Sequence, residues 1–190
     1  MEAFNGAADL QPIFAKLKDQ YQISTVIETG TFKGKTTAFF GKLFDEVHTI
    51  DISPEYYYKA RQTLSNFTNI HFHLGSSEKI LSGILPTLQD RFILFYLDAH
   101  WNEYWPLRDE LEIIARTHAN HCIVVIDDIK VPDRSDIAYD FYGPHECSYE
   151  YVKDKIEKIF PNYTMEYLIP ENVYNRAKLL ILPSNKASIQ

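Results

Sequence analysis

The sequence predicts an α/β fold, a doubly wound and mainly parallel seven-stranded sheet with a C-terminal antiparallel hairpin. Three observations predict it. Short apolar runs of strand length alternate five times with segments of helical period. The first run ends in Val26, Ile27 and Glu28 and passes through Gly30 and Gly34 into a helical pattern. Strand, glycine turn and helix in that order bring backbone N–H groups and a helix N-terminus to a ligand. The last two runs, 163–169 and 177–182, are joined by a polar loop and read as an antiparallel pair.

The elements follow in order. Leu10, Ile13, Phe14 and Leu17 recur at helical spacing, so 9–21 holds a short amphipathic helix that packs on the sheet or covers a ligand. The first strand covers 25–28 and the next helix 35–43, with Ala38, Phe39, Leu43 and Phe44 on one face. The second strand, 47–51, ends in Asp51; Ser53 then caps a helix that opens on Pro54. The third, 70–74, ends at Gly75-Ser76-Ser77, where another helix begins. The fourth, 92–98, ends in Asp98, and a helix from about Pro106 turns Leu107, Leu111 and Ile114 inward. The fifth runs from Cys122 to Asp127 and is followed by Asp128. An irregular stretch over 130–145 precedes a helix over 149–160. No repeat, low-complexity tract or linker interrupts the chain, so residues 1–190 form a single domain.

Composition narrows the function. A 45% apolar content can supply a full core. A net charge of -7 without a basic stripe argues against a nucleic-acid surface. No run approaches membrane length and no basic, apolar leader opens the chain, so a cytoplasmic protein without a membrane partner is expected. Cys122 and Cys147 form no C-x-x-C pair, and Cys122 lies in an apolar run as a buried thiol.

Parallel sheets bind ligands outside the carboxyl ends of their strands. Here Glu28, Asp51, Asp98 and the pair Asp127-Asp128 all stand at strand ends. Strand ends facing water tolerate single acids, but five on one rim repel one another unless a cation or hydrogen-bond donors satisfy them. Asp51 lies about twenty residues past the glycine turn, where a carboxylate accepts from the ribose hydroxyls of a nucleoside, with Ile52 beside it. Asp98 with Asp127 and Asp128 offers the hard oxygen donors that Mg²⁺ or another divalent cation prefers.

Three ligands compete for the glycine turn. A P-loop needs four residues between its Gly and Gly-Lys-Thr, and only Thr31, Phe32 and Lys33 intervene. The dinucleotide fingerprint G-x-G-x-x-G is absent. The run Glu28-x-Gly30-x-x-x-Gly34-x-Thr36 resembles the first glycine motif of class I S-adenosylmethionine (SAM)-dependent methyltransferases. Together with the later acids it resembles the metal-dependent O-methyltransferases, of the catechol type and of macrolide and aminocoumarin sugar modification, over about residues 25–128.

That resemblance implies a Rossmann-like fold binding SAM through Glu28, Gly30, Thr31, Gly34, Thr36, Asp51, Ile52, Gly75, Ser76, Ser77 and Asp98. The family often has Asp where Ser76 stands, and Ser76 and Ser77 serve equally as helix caps. It implies metal ligands Asp98, Asp127 and Asp128, and a hydroxylated small-molecule acceptor, a sugar or glycosylated metabolite ahead of a catechol. The family's Lys or Asp base is missing; His100 is the nearest substitute, either as base or as a rim histidine bonded to an acid. His71 and His73 read as packing or surface residues. Trp101, Tyr104 and Trp105 offer a face for a ring, and Tyr139, Phe141 and Tyr142 are expected to shape the acceptor pocket or cover it. The short N-terminal segment leaves the acceptor site either open or closed by a second subunit in a homodimer.

Two other functions compete. Ile123-Val-Val-Ile-Asp127-Asp128 passes for a Walker-B strand, and Gly34-Lys35-Thr36 for the end of a Walker-A loop, as in an ATPase. The short loop, Glu28 and Asp51 oppose it. The same fold could also bind its ligand without turnover.

Overall fold

The computed structural model describes residues 3–100, 104–171 and 175–184. Six strand pairings join a seven-stranded sheet built from β1 (Thr25–Thr29), β2 (Glu46–Asp51), β3 (Ile70–Leu74), β4 (Ile93–Leu97), β5 (Cys122–Ile129), β8 (Tyr163–Leu168) and β9 (Ala177–Pro183). The spatial order is β3-β2-β1-β4-β5-β9-β8. The first five strands run parallel, and β9 lies antiparallel to both β5 and β8. The expected doubly wound sheet and closing hairpin are therefore present. Its strand order reverses between β1 and β4, and such a switch point opens a crevice at the strand tips.

The helices are α1 (Gln11–Tyr21), α2 (Lys35–Leu43), α3 (Pro54–Thr63), α4 (Ser77–Ile84), α5 (Leu107–His118) and α6 (Tyr149–Ile159). Alternation along each strand sends apolar side chains to two cores. Val26, Val47, Leu94, Tyr96, Ile123 and Val125 face α1 and α2. Ile27, Ile50, Phe95, Leu97, Val124 and Ile126 face α4, α5 and α6. All five residues of β1 are buried, as a central parallel strand covered on both faces requires. Ser53 caps α3, its hydroxyl accepting from the Tyr56 N–H at 3.5 Å, and Pro54 occupies the first turn.

Three features depart from the sequence reading. β5 runs past Asp127 to Ile129 through a bulge between Ile126 and Ile129, with Asp128 in the left-handed region at φ 52°. The stretch over 130–145 is ordered around a small hairpin, β6 (Phe141–Tyr142) with β7 (His145–Glu146). The N-terminal segment is more than a helix lead-in. Phe4 is buried, stacks on Phe14 at 4.7 Å and donates its N–H to the Thr36 hydroxyl at 3.2 Å, which folds residues 3–6 across the start of α2. No helix among the described residues is long and apolar enough to cross a membrane.

Candidate functional site: an acid-rimmed cleft at the switch point

The strand tips are laced together by backbone bonds. The Gly30 and Thr31 N–H groups donate to the Ile50 carbonyl at 2.9 and 3.2 Å, Asp98 N–H to Thr29 at 3.0 Å, and Gly75 N–H to Asp51 at 3.0 Å. Gly30 is required there. Its φ is +87°, and a Cβ on it would stand 2.5 Å from the Asp98 carbonyl oxygen, closer than any side chain tolerates. Gly34, also left-handed, lets the start of α2 approach Ala60 of α3 and Leu64 just past its end.

Above this lacing lies a cleft of about 390 Å³. Of the residues singled out from sequence, Gly30, Asp51, Ile52, Gly75, Ser76, Ser77, Asp98, His100 and Asp128 line it. A second cavity of about 50 Å³, sharing Gly30 and Asp98, is lined by Glu28, Thr31, Thr36 and Asp127. Gly34 lines neither. Trp101 lies outside the described residues.

The acids are held in different ways. Asp51 spans the glycine turn, with Oδ2 accepting from the Phe32 N–H at 2.7 Å and Oδ1 from the Ser53 N–H at 2.8 Å. Burial raises its pKa, and those two amides pull it back. To reach Asp51, Phe32 adopts φ 47°, a conformation that non-glycine residues take at a cost. Glu28 is buried; its Oε2 accepts from the hydroxyls of Thr37 at 2.5 Å and Thr49 at 2.6 Å. Burial pushes its pKa to about 7 against those two bonds. Thr31 bonds Thr49 at 2.6 Å and so belongs to the Glu28 network.

Asp127 is committed to the protein. Oδ1 accepts from Lys178 Nζ at 2.6 Å and from the Asp128 N–H at 2.8 Å, and Oδ2 accepts from the Tyr96 hydroxyl at 2.5 Å. Burial opposes ionisation, yet Lys178 holds the carboxyl below its usual range. Asp128 Oδ2 accepts from Arg176 at 2.7 Å, and the same guanidinium reaches Asp140 at 2.5 Å. Asp128 Oδ1 is buried without a partner, and burial followed by the Asp127 charge pushes its pKa to about 7. Burial and the charges of Asp127 and Asp128 raise Asp98 well above the usual carboxylate range.

Of the expected metal set, Asp98 and Asp128 line the cleft, and Oδ1 of Asp128 is without a hydrogen-bond partner. Both oxygens of Asp127 are engaged, Oδ1 by Lys178 and the Asp128 N–H and Oδ2 by Tyr96, which ties the carboxylate to the bulge.

Several site residues escaped the sequence reading. Phe32 and Tyr56 line the cleft, packed edge-to-face at 4.6 Å, and with half-exposed Ile52 form an apolar wall. Lys178 and Tyr96 are wholly buried partners of Asp127; a lysine inside the apolar run 177–182 was the available signal. Glu110 of α5 is fully buried beside the Ser77 and Thr29 hydroxyls, and burial raises its pKa to about 7 against those two groups.

The aromatic residues of the acceptor side divide. Trp105 stacks on Tyr151 at 5.0 Å and on Tyr142 at 5.7 Å, and the Tyr142 hydroxyl meets His100 Nδ1 at 3.3 Å. Tyr104 lines the cleft and donates to Asp109. Phe141 is 70% exposed and Tyr139 donates to Glu146, so neither faces the cleft.

Comparison with known proteins agrees with this geometry. A family model described as a methyltransferase domain matches residues 27–129. A search of curated proteins found no match. Among solved structures, the O-methyltransferase TomG of Streptomyces achromogenes, involved in tomaymycin synthesis and bound to SAM, superposes with a TM-score of 0.65 at 18% identity, over 94% of this chain and 81% of that one. An O-methyltransferase from Bacillus cereus in complex with S-adenosylhomocysteine (SAH) gives 0.64 at 13% identity, over 92% and 81%. A methyltransferase from Geobacter sulfurreducens gives 0.61 at 16%, over 93% and 79%. At these identities the structures establish the fold, and the family match covers the glycine turn, Asp51, Asp98 and the Asp127-Asp128 bulge. The chain belongs to the methyltransferase-domain family, as a class I SAM-dependent methyltransferase.

Proposed function

We propose that the protein is a divalent-metal-dependent O-methyltransferase acting on a hydroxylated small molecule, a sugar or glycosylated metabolite ahead of a catechol. The observation that carries this reading is one cleft lined by Asp51 and Gly30 of the glycine turn together with Asp98, His100 and Asp128. The nucleoside end is supported by Asp51, whose carboxylate keeps lone pairs for ribose hydroxyls, and by the apolar wall of Phe32, Ile52 and Tyr56 for the base. The acidic rim favours a sulfonium over neutral SAH, so the charge lost on transfer loosens the product.

In the reaction an acceptor oxygen attacks the sulfonium methyl. The C–O bond forms as the C–S bond breaks, the acceptor proton passes to His100, and a methyl ether and SAH result. A divalent ion on Asp98 and Asp128 would make a chelated hydroxyl more acidic. Tyr142 bonds His100 Nδ1 and so limits the imidazole's rotation. The stacked Trp105–Tyr142 pair gives a sugar or an aryl ring an apolar face beside it.

The test is methyl transfer from labelled SAM to a panel of sugars, glycosides and catechols, with Mg²⁺ and with chelator. Transfer that requires the metal is expected. His100→Ala should lower kcat on the order of 100-fold near neutral pH, as general-base loss typically does. An unaltered pH–rate profile in that variant would relieve His100 of the role.

A further inference from the structure

We infer that Glu46, His48 and His71 form a second metal site, for Zn²⁺ or a similar borderline transition-metal ion, on the sheet face near β3. It lies away from the cleft. Glu46 opens β2 and pairs with Thr25, the first residue of β1, whereas the cleft acid Asp51 ends β2. Five residue steps along the strand separate the two by about 16 Å.

The ligand atoms already converge. Glu46 Oε1 lies 3.0 Å from His48 Nε2 and 3.8 Å from His71 Nε2, and all three lie within 4.8 Å of one another. Ligands about 2.1 Å from a tetrahedral zinc stand roughly 3.4 Å apart, so an ion fits with small side-chain shifts. His48 and His71 are register partners on neighbouring strands, and their rings stack at 4.9 Å, which fixes both on one face. Two imidazoles and one carboxylate leave a fourth position for water. His71, with its side chain 51% exposed, provides the entry from solvent.

The surroundings suit the ion. His48 Nδ1 lies 3.0 Å from His73 Nε2, so a metal on Nε2 of His48 would leave Nδ1–H donating to His73. Such an outer partner orients a metal-binding histidine. Arg91 occupies Oε2 and leaves Oε1 to the ion, while its own charge weakens the site. An ion there would tie β3, the edge strand, to β2.

The test uses the full chain and Zn²⁺ alone, titrated near pH 7.5 by calorimetry and followed by thermal melting. The Asp98→Asn variant removes the cleft as a competing zinc site. The Asp98→Asn variant should still bind one equivalent, and at 100-fold excess over Kd its Tm should rise by about 5–10 °C. His71→Ala, at an exposed position, should weaken binding at least tenfold and abolish the rise, with methyl transfer unchanged. Absence of binding, binding untouched by His71→Ala, or binding abolished by Asp98→Asn would overturn the assignment.

Discussion

Replacing Lys178 by Met is expected to destabilise the protein by about 3–5 kcal/mol, the usual consequence of stranding one partner of a buried ion pair. Lys178 and Asp127 are both almost wholly inaccessible, 2.6 Å apart, and Asp127 anchors the bulge that presents Asp128 to the cleft. Without the ammonium, Asp127 would be left with a tyrosine hydroxyl and one amide in an apolar interior. Its carboxyl would then take up a proton. The sign follows from linkage. A folded-state pKa raised above the unfolded one gives stability that is present at low pH and lost as pH rises through the folded value. The deficit of Lys178→Met should therefore be larger at pH 8 than at pH 5. Thermal melting checks this, with a fall in Tm of roughly 10 °C near neutrality. Adding Asp127→Asn should recover much of it, since the stranded charge is then gone. A single variant melting within a degree of wild type would show that the pair is not the anchor described here.

The second large effect is on turnover. Asp98→Asn is expected to lower kcat/KM by about 100-fold or more, equivalent to about 2.7 kcal/mol of transition-state stabilisation, while SAM still binds. Asp98 stands at the tip of β4, where the cleft and the deeper cavity meet, and burial, followed by the charges of Asp127 and Asp128, raises its carboxyl well above the usual carboxylate range. A group so placed calls for a cation, and the amide cannot answer that charge. Steady-state kinetics and calorimetry on the same preparation separate the two sides of the cleft. Unchanged turnover would remove Asp98 from the reaction. Loss of SAM binding together with turnover would move it to the cofactor side.

The fold was legible because the local signals agree with one another. Each parallel strand is an apolar run closed by an acid or a glycine, and Ser53-Pro54 marks the start of α3 within a residue. The positions of Gly30, Asp51, Asp98 and Asp128 around one cleft followed from the rule that ligands meet parallel sheets at their carboxyl ends. What the chain order does not carry is pairing across it. Lys178 reaches Asp127 over 51 positions and Arg176 reaches Asp128 over 48. Their consequence, that one of the three expected metal ligands is already neutralised, depends on how β9 packs beside β5. The bulge after Ile126 is a register event with no glycine or proline to announce it. His48, His71 and His73 sit on two strands, and their spacing in sequence gives no metal motif; only the register of β2 on β3 gathers them. Phe4 lies too near the N-terminus for any periodicity to assign its place against Phe14 and Phe40.

The central claim is that this cleft holds a sulfonium nucleoside through Asp51. Calorimetric titration of the wild type and of Asp51→Ala with SAM, and of the wild type with ATP and Mg²⁺, tests it most directly. One SAM per chain is predicted, with affinity falling tenfold or more, at least about 1.4 kcal/mol, when the carboxylate is removed. Saturable binding of ATP with no heat from SAM would contradict it.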